Sequence, residues 1–222
     1  MKLVHPEWKT QIVFREDQIQ VVNIENPVYL TQIITELLEQ FNGREGRFVL
    51  SDSDQLISLS KATEIILSPF QLDFRNRRIQ NAILKNLNEV ALEEEYLKTQ
   101  ELSSAIQHYV YLISDHLDYN VEFDETIEVS SLFKLANPRI GDIQMGLLAK
   151  LTDYICIAKK LLNLQLIVGV GFHNYFSGHE LELLYKTVLL NKISLLLLDN
   201  CKTDERIGCE NWLTIDQDLC EI

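Results

Sequence analysis

Between Asp73 and Leu117 the chain reads DFRNRRIQNAILKNLNEVALEEEYLKTQELSSAIQHYVYLISDHL, with neither proline nor glycine. Ile79, Ile83, Leu87 and Val90 recur at helical spacing, and so do Leu102, Ile106, Tyr109 and Ile113. The pattern predicts one very long helix, or two joined end to end. A helix of that length does not fit inside a compact α/β layer, so it is expected to project as a separate lobe.

The flanking sequence has a different grammar. TQIVF and IQVVNIE read as two short strands with a turn at Arg15–Gln18. NPVYLTQIITELLEQFNG is a punctuated helix, with Asn26 as N-cap, Pro27 at the first position and Asn42-Gly43 as a left-handed stop. GRFVLSDSD then returns as a strand, and strand–helix–strand order favours a parallel sheet. Beyond the helical stretch, TIEVSSLFKLA predicts a short helix ending near Asn137-Pro138. GDIQMGLLAKLTDYICIAKKLLNL predicts a longer one, with a stripe of Leu147, Leu151, Tyr154, Ala158 and Leu161. LQLIVGVG and ISLLLLDN are apolar enough for strands buried on both faces. Ser177 and Glu180 between them have the spacing of a capping box. NWLTIDQDLCEI reads as a last strand. Early and late segments therefore share one mainly parallel sheet. The expected organisation is an α/β head from 1–58 and 145–222, with a helical leg, 59–144, inserted in the middle.

With 46 % hydrophobic residues the chain can bury a sizeable core, and its net charge of −13 argues against a protein that coats nucleic acid over its whole surface. A local basic patch remains compatible with that balance. Cys156, Cys201, Cys209 and Cys220 form no CxxC pair and read as idle thiols of a reducing compartment. A zinc site of three of them with His173 has no support from their spacing. MKLVHPEWKT lacks the apolar core of a signal peptide, and no apolar run is long enough for a bilayer, so a soluble, cytoplasmic protein is expected.

Nucleotide chemistry is not visible. No GxxxxGK[ST] occurs, and after VVNIE, where a phosphate loop could follow, stands NPVYL without glycine or lysine. GVGF from Gly169 has incomplete glycine spacing and reads as a tight turn at a strand end. No serine or cysteine stands in a nucleophile motif, and His108, His116, His173 and His179 read as surface or capping histidines.

Six carboxylates crowd into DHLDYNVEFDETIE, Asp115 to Glu128. In an extended segment Asp118, Asn120, Glu122 and Asp124 face one way, and Tyr119, Val121 and Phe123 the other. The apolar side can dock on a helix and hold the oxygens in place. Glu125 and Glu128 then fall in the first turn of the next helix, where the dipole favours negative charge. Clustered oxygens suit calcium, but the EF-hand pattern fails, since its sixth position is Phe123 and its twelfth Val129. Composition leaves two alternatives open here, a solvated loop and a calcium site.

At LDYNVEFDETIEVSSLFKL, at KKLLNLQLIVGVGFHNYFSGHELELLYKTVLLNKISLLLLDN and at the ending WLTIDQDLCEI, the chain resembles the small CRISPR-associated adaptation proteins specific to subtype II-A, named with the Csn prefix. The resemblance runs over essentially the whole length. It implies an α/β head related to phosphate-loop ATPases but without a functional phosphate loop, and a helical leg. It also implies a homotetrameric ring held by Ca2+ that binds the ends of linear double-stranded DNA without catalysis. The role implied is spacer acquisition in antiviral defence, beside the CRISPR integrase and the effector nuclease. On this resemblance Asp118, Glu122, Asp124, Glu125 and Glu128 become the expected calcium ligands.

The candidate DNA contacts are Arg75, Arg77, Arg78 and Lys85 on the projecting helix, with Lys134 and Arg139 beyond the acidic stretch. Three arginines in a helix's first turn oppose its dipole, as a cluster kept for phosphate would. A solvated face, or pairs with nearby acids, is the competing reading. Two other functions compete with the clamp: a protein-binding helical scaffold and a degenerate nucleotide-binding enzyme.

Overall fold

A computed structural model of the chain describes residues 1–53, 55–124, 126–141, 146–201 and 206–222. The chain divides into two compact units, Met1–Asp73 with Asp142–Ile222, and Phe74–Gly141. The first contains β1 (Lys2–Val4), β2 (Ile12–Val13), β3 (Ile19–Ile24), α1 (Pro27–Phe41), β4 (Val49–Asp52), β5 (Gln55–Ile57), α2 (Leu59–Ala62) and β6 (Thr63–Ile66). The second contains α3 (Arg77–Glu93), α4 (Tyr96–Ser114) and α5 (Val129–Ala136). The chain then completes the first unit with α6 (Leu147–Leu162), β7 (Leu166–Val170), α7 (Gly178–Leu190), β8 (Ser194–Asp199) and β9 (Glu210–Ile215).

A five-stranded parallel sheet, ordered β6-β7-β8-β3-β9, is the frame of the first unit. Every residue of β3 is buried, as expected of an apolar run covered on both faces. Val22, Ile24, Leu196, Leu198, Leu213 and Ile215 share one core cluster with Tyr29, Ile33 and Leu37. The last three recur every four residues, so one stripe of α1 faces the sheet. Ile19, Val21, Leu195 and Leu197 alternate with the residues of that cluster and so point to the opposite face. The buried Tyr185 of α7 and Tyr154 of α6 reach this face, through hydrogen bonds to Glu210 of β9 and Glu64 of β6. The helix boundaries follow the sequence signals. Asn26 Oδ1 accepts from the N–H groups of Val28 and Tyr29, and Ser177 and Glu180 complete a capping box.

Three expectations change. GRFVLSDSD was expected to add a parallel strand, but β4 pairs antiparallel with β1 and β5 in a separate four-stranded sheet, β2-β1-β4-β5. The strand is exposed at Val49 and Asp52, and a strand with exposed ends and a polar half does not suit a layer covered on both faces. Leu3, Ile12 and Leu50 of the small sheet still join the α1 core. The head was expected to break off at 58, but its first segment runs on to Asp73, because β6 pairs with β7 as the edge of the parallel sheet. The long helical stretch is two helices folded sharply at Glu94–Glu95. Thr99 Oγ1 donates to Ala91 O at 2.8 Å, whereas eight residues of straight helix would separate them by about 12 Å. Three consecutive glutamates, Glu93–Glu95, mark the break, at a helix end where the dipole disfavours negative charge.

Candidate functional site

Ligands of open α/β sheets bind at the carboxyl ends of the strands. At the end of β3 this position is filled by the chain itself. Asn26 Oδ1 takes the Val28 N–H at 3.0 Å and the Tyr29 N–H at 3.1 Å, and Pro27 has none to offer. The first amides of α1 are therefore not available to a phosphate. Asn200 Nδ2 donates to Ile24 O at 2.6 Å and Gln217 Nε2 to Glu25 O at 2.6 Å, closing the junction with polar side chains. The GVGF turn is structural too. A Cβ on Gly169 would lie 2.6 Å from the Phe172 ring, and Gly171 has φ +70°, which favours glycine.

The same sheet carries a buried ionic cluster that sequence reasoning missed. His173, expected at the surface or as a cap, has a side chain only 7 % exposed. Its Nδ1 lies 2.9 Å from Asp199 Oδ2 and its Nε2 2.9 Å from Glu210 Oε1. Only the imidazolium can donate from both nitrogens. Burial, the largest single influence, pulls the His173 pKa down, but the two carboxylates outweigh it and push it up to about 9. Glu210 also accepts from Tyr185 Oη at 2.6 Å, Trp212 Nε1 at 2.9 Å and the Ile207 N–H at 2.9 Å. Burial would raise its pKa, yet these bonds hold it below the ordinary value. Burial, reinforced by Glu210, pushes the Tyr185 hydroxyl far above its usual range. The cluster ties the β7–α7 turn, α7, the end of β8 and the start of β9 together. Its partners lie 26 and 37 residues from His173, too far for any local pattern to announce. The available signal was Asp199, a charge closing a strand that runs through four consecutive leucines.

In the second unit the acidic stretch is less ordered by its neighbours than expected. Phe123 meets Tyr111 of α4 edge-on at 5.8 Å, but Tyr119 stays 68 % exposed, so the apolar side docks in part. Asp118, Glu122, Asp124 and Glu128 are all exposed, and Glu125 lies outside the described residues. Glu128 is the N-cap of α5, not a residue of its first turn, because the helix starts one residue later at Val129. Its carboxylate accepts from Ser130 Oγ at 3.4 Å. Among the described residues no three His, Cys, Asp or Glu side chains gather as a metal site. The same holds for the four cysteines, all free thiols.

The basic candidates sit where helix chemistry explains them only in part. Arg77 is the first residue of α3, behind the N-cap Asn76, and Arg78 follows it with no acid in that turn. Arg75 is exposed and Arg78 half-buried. Lys85 lies 3.5 Å from Glu89 one turn on, an exposed pair. Lys134 lies in the last turn of α5, where the dipole welcomes a cation, and Arg139 is exposed beyond it.

A parallel α/β head with its phosphate position closed, joined to a helical unit, agrees with the outcome of a scan against family models. The family described as CRISPR-associated protein (Cas_Csn2) matches residues 40–219. The chain belongs to the Csn2 family. The match extends from the end of α1 almost to the last residue and spans parts of both units. No curated protein matches the chain. Among solved structures, a dimeric ATP-binding cassette in a post-hydrolysis state with ADP and phosphate is 12 % identical, with a TM-score of 0.32, over 86 % of this chain and 77 % of that one. At that distance it carries no argument about function. Among the described residues of this Csn2-family chain, no helix is long and apolar enough to cross a membrane.

Proposed function

We propose that the chain is a non-catalytic, calcium-dependent binder of linear double-stranded DNA ends that serves CRISPR spacer acquisition. In this reading it works in the cytoplasm as a homotetrameric ring, beside the integrase and the effector nuclease. The observation that carries the reading is the Csn2 family match over residues 40–219. The closed β3–α1 junction supports binding over nucleotide turnover, because the amides that would cradle a phosphate are already used. Arg75, Arg77, Arg78, Lys85, Lys134 and Arg139 are the cations offered to the DNA backbone, a sequence-independent contact. A closed ring reconciles these few cations with the charge of −13, since inward cations from four copies sum while the acidic surface faces away. Calcium would engage the Asp118–Glu128 carboxylates, with the remaining oxygens coming from water or a second copy.

Native mass and DNA binding, each measured with calcium and with chelator, test the proposal. Linear duplex should bind in calcium, closed circles should not, and chelation should abolish both binding and the tetramer mass. Equal binding of circles, or unchanged mass and affinity under chelation, contradicts it. A protein-binding scaffold is the second reading, favoured by exposed apolar side chains along α4, among them Leu97 at 75 % and Tyr109 at 64 %. It predicts no DNA binding under either condition. ATP turnover by the purified protein would instead support a degenerate enzyme.

A further inference from the structure

α4 turns two sides to different surroundings. Thr99 and Ser103 line a cleft with Asn88 and Leu92 of α3, and Gln107 and Val110 line another with Phe123 and Ile127. That side faces the rest of its own unit, yet among the described residues of α4 only Thr99 is buried. Leu102, Ala105, Tyr109, Leu112 and His116 share another side, and all are exposed. Leu102 is open by 49 %, Tyr109 by 64 % and Leu112 by 48 %. Their steps of three and four residues are the spacing of a helix that packs along a second helix. A helix of this length draws most of its stability from packing such a face, so an apolar stripe left open belongs against a partner. From Leu102 to Ser114 no residue is Asp, Glu, Lys or Arg, in a chain where 24 % are charged. The acids stand at the two ends of the stripe, Glu93–Glu95 and Glu101 at one and Asp115 and Asp118 at the other. Lys98 among them is paired with Glu95 at 2.7 Å.

The stripe asks for another helix, and one not selected by charge. A partner recognised through complementary charges finds nothing to pair with between Leu102 and Ser114. A second α4 matches. The small Ala105 stands between Leu102 and Tyr109, so the same helix carries a projecting ring and a gap able to receive one. The area also fits a single helix-on-helix contact. Leu102, Tyr109, Leu112, His116 and the neighbouring Ile113, at about 150–250 Å² each and roughly half exposed, present on the order of 500 Å². Two copies face to face then bury about 1,000 Å², the size at which specific interfaces begin. Parallel or antiparallel, such a pair brings acid towards acid at its ends. Apolar contact therefore joins the copies while charge opposes them. Salt relieves that opposition, because the reach of an exposed charge shrinks from about 10 Å at 0.1 M to about 3 Å at 1 M.

We infer that the open stripe of α4 pairs two copies of the chain, helix against helix, in a contact that needs no calcium and strengthens with salt. The inference rests on the homotetramer reading above and supplies one of the contacts from which a ring of four is built. Sedimentation of the full chain in chelator, across protein concentrations at 0.1 M and 1 M NaCl, tests it, with hydrogen exchange on the same samples. Wild type should form a dimer that is tighter at 1 M. Its amides from Leu102 to Ser114 should exchange more slowly as the protein is concentrated. Tyr109→Glu and Leu112→Glu should each weaken the dimer roughly 30-fold or more. Leu190→Glu, at an 84 % exposed leucine of the head, should leave it unchanged. Melting temperatures of the α4 variants, diluted until wild type is also monomeric, should match wild type, since both side chains are exposed. If wild type is a monomer in chelator, forms the tetramer in calcium and keeps it with Tyr109→Glu, the inference is overturned and the homotetramer reading survives. If salt dissociates the dimer, or Leu190→Glu disrupts it as much as Tyr109→Glu does, the copies meet through another surface and the inference is overturned. If wild type is a monomer with calcium and with chelator alike, the homotetramer reading fails as well.

Discussion

Glu210 in the head and Glu122 in the helical unit are the same side chain in opposite settings. Glu210 is fully covered and accepts from His173, Tyr185, Trp212 and a backbone amide, whereas Glu122 lies exposed outside any helix or strand. In the head Asp199 and Glu210 are both buried beside the His173 imidazolium, so the cation comes from the chain. In the helical unit the carboxylates face solvent and do not gather among the described residues. Burial is the difference. A covered charge must carry its partner with it, while an exposed one can wait for an ion or do without.

The strongest way to break this contrast is His173→Ala. It strands Asp199 and Glu210 without their cation and should cost about 3–5 kcal/mol in urea denaturation. A loss under 1 kcal/mol would mean that the cluster is wetter than its burial implies. Next comes pH. The His173 value of about 9 exceeds the unfolded value of 6.5, so its contribution is complete below pH 6.5 and disappears as pH rises through 9. Wild type should lose about 3 kcal/mol between those limits, and His173→Gln should lose much less across the same range. Tyr185→Phe removes one donor from an ionised acceptor, with an expected cost of about 2 kcal/mol by the same assay. The smallest effect belongs to the other region. Asp118→Asn, Glu122→Gln, Asp124→Asn and Glu128→Gln combined should change stability without calcium by no more than about 0.5 kcal/mol, since these groups are exposed. In calcium the same variant should lose any ion-dependent gain in melting temperature. An equal gain in variant and wild type would place the ion elsewhere.

Much of the architecture was legible because its causes are local. The stop at Asn137, with φ 47°, the Ser177–Glu180 capping box and the Asn26-Pro27 helix start are written in a few adjacent residues. The helices of the second unit were legible as helices, while the fold at Glu94–Glu95 was visible only as a run of acids. The candidate site was less legible. Alternation separated the oxygens of the acidic stretch from its aromatic residues, but it carried no information on whether those oxygens meet.

The sequence by itself determined helix limits, apolar strands and the absence of a phosphate loop, since backbone preferences and hydrophobic period act over a few residues. Tertiary structure alone decided that β4 leaves the parallel sheet, that β6 joins it and that His173 is a buried cation. Those outcomes depend on which faces are covered and on partners that meet only when distant segments pack. Asp199 and Glu210 acquire their shared imidazolium by folding, because burial makes an unpaired charge too costly to keep.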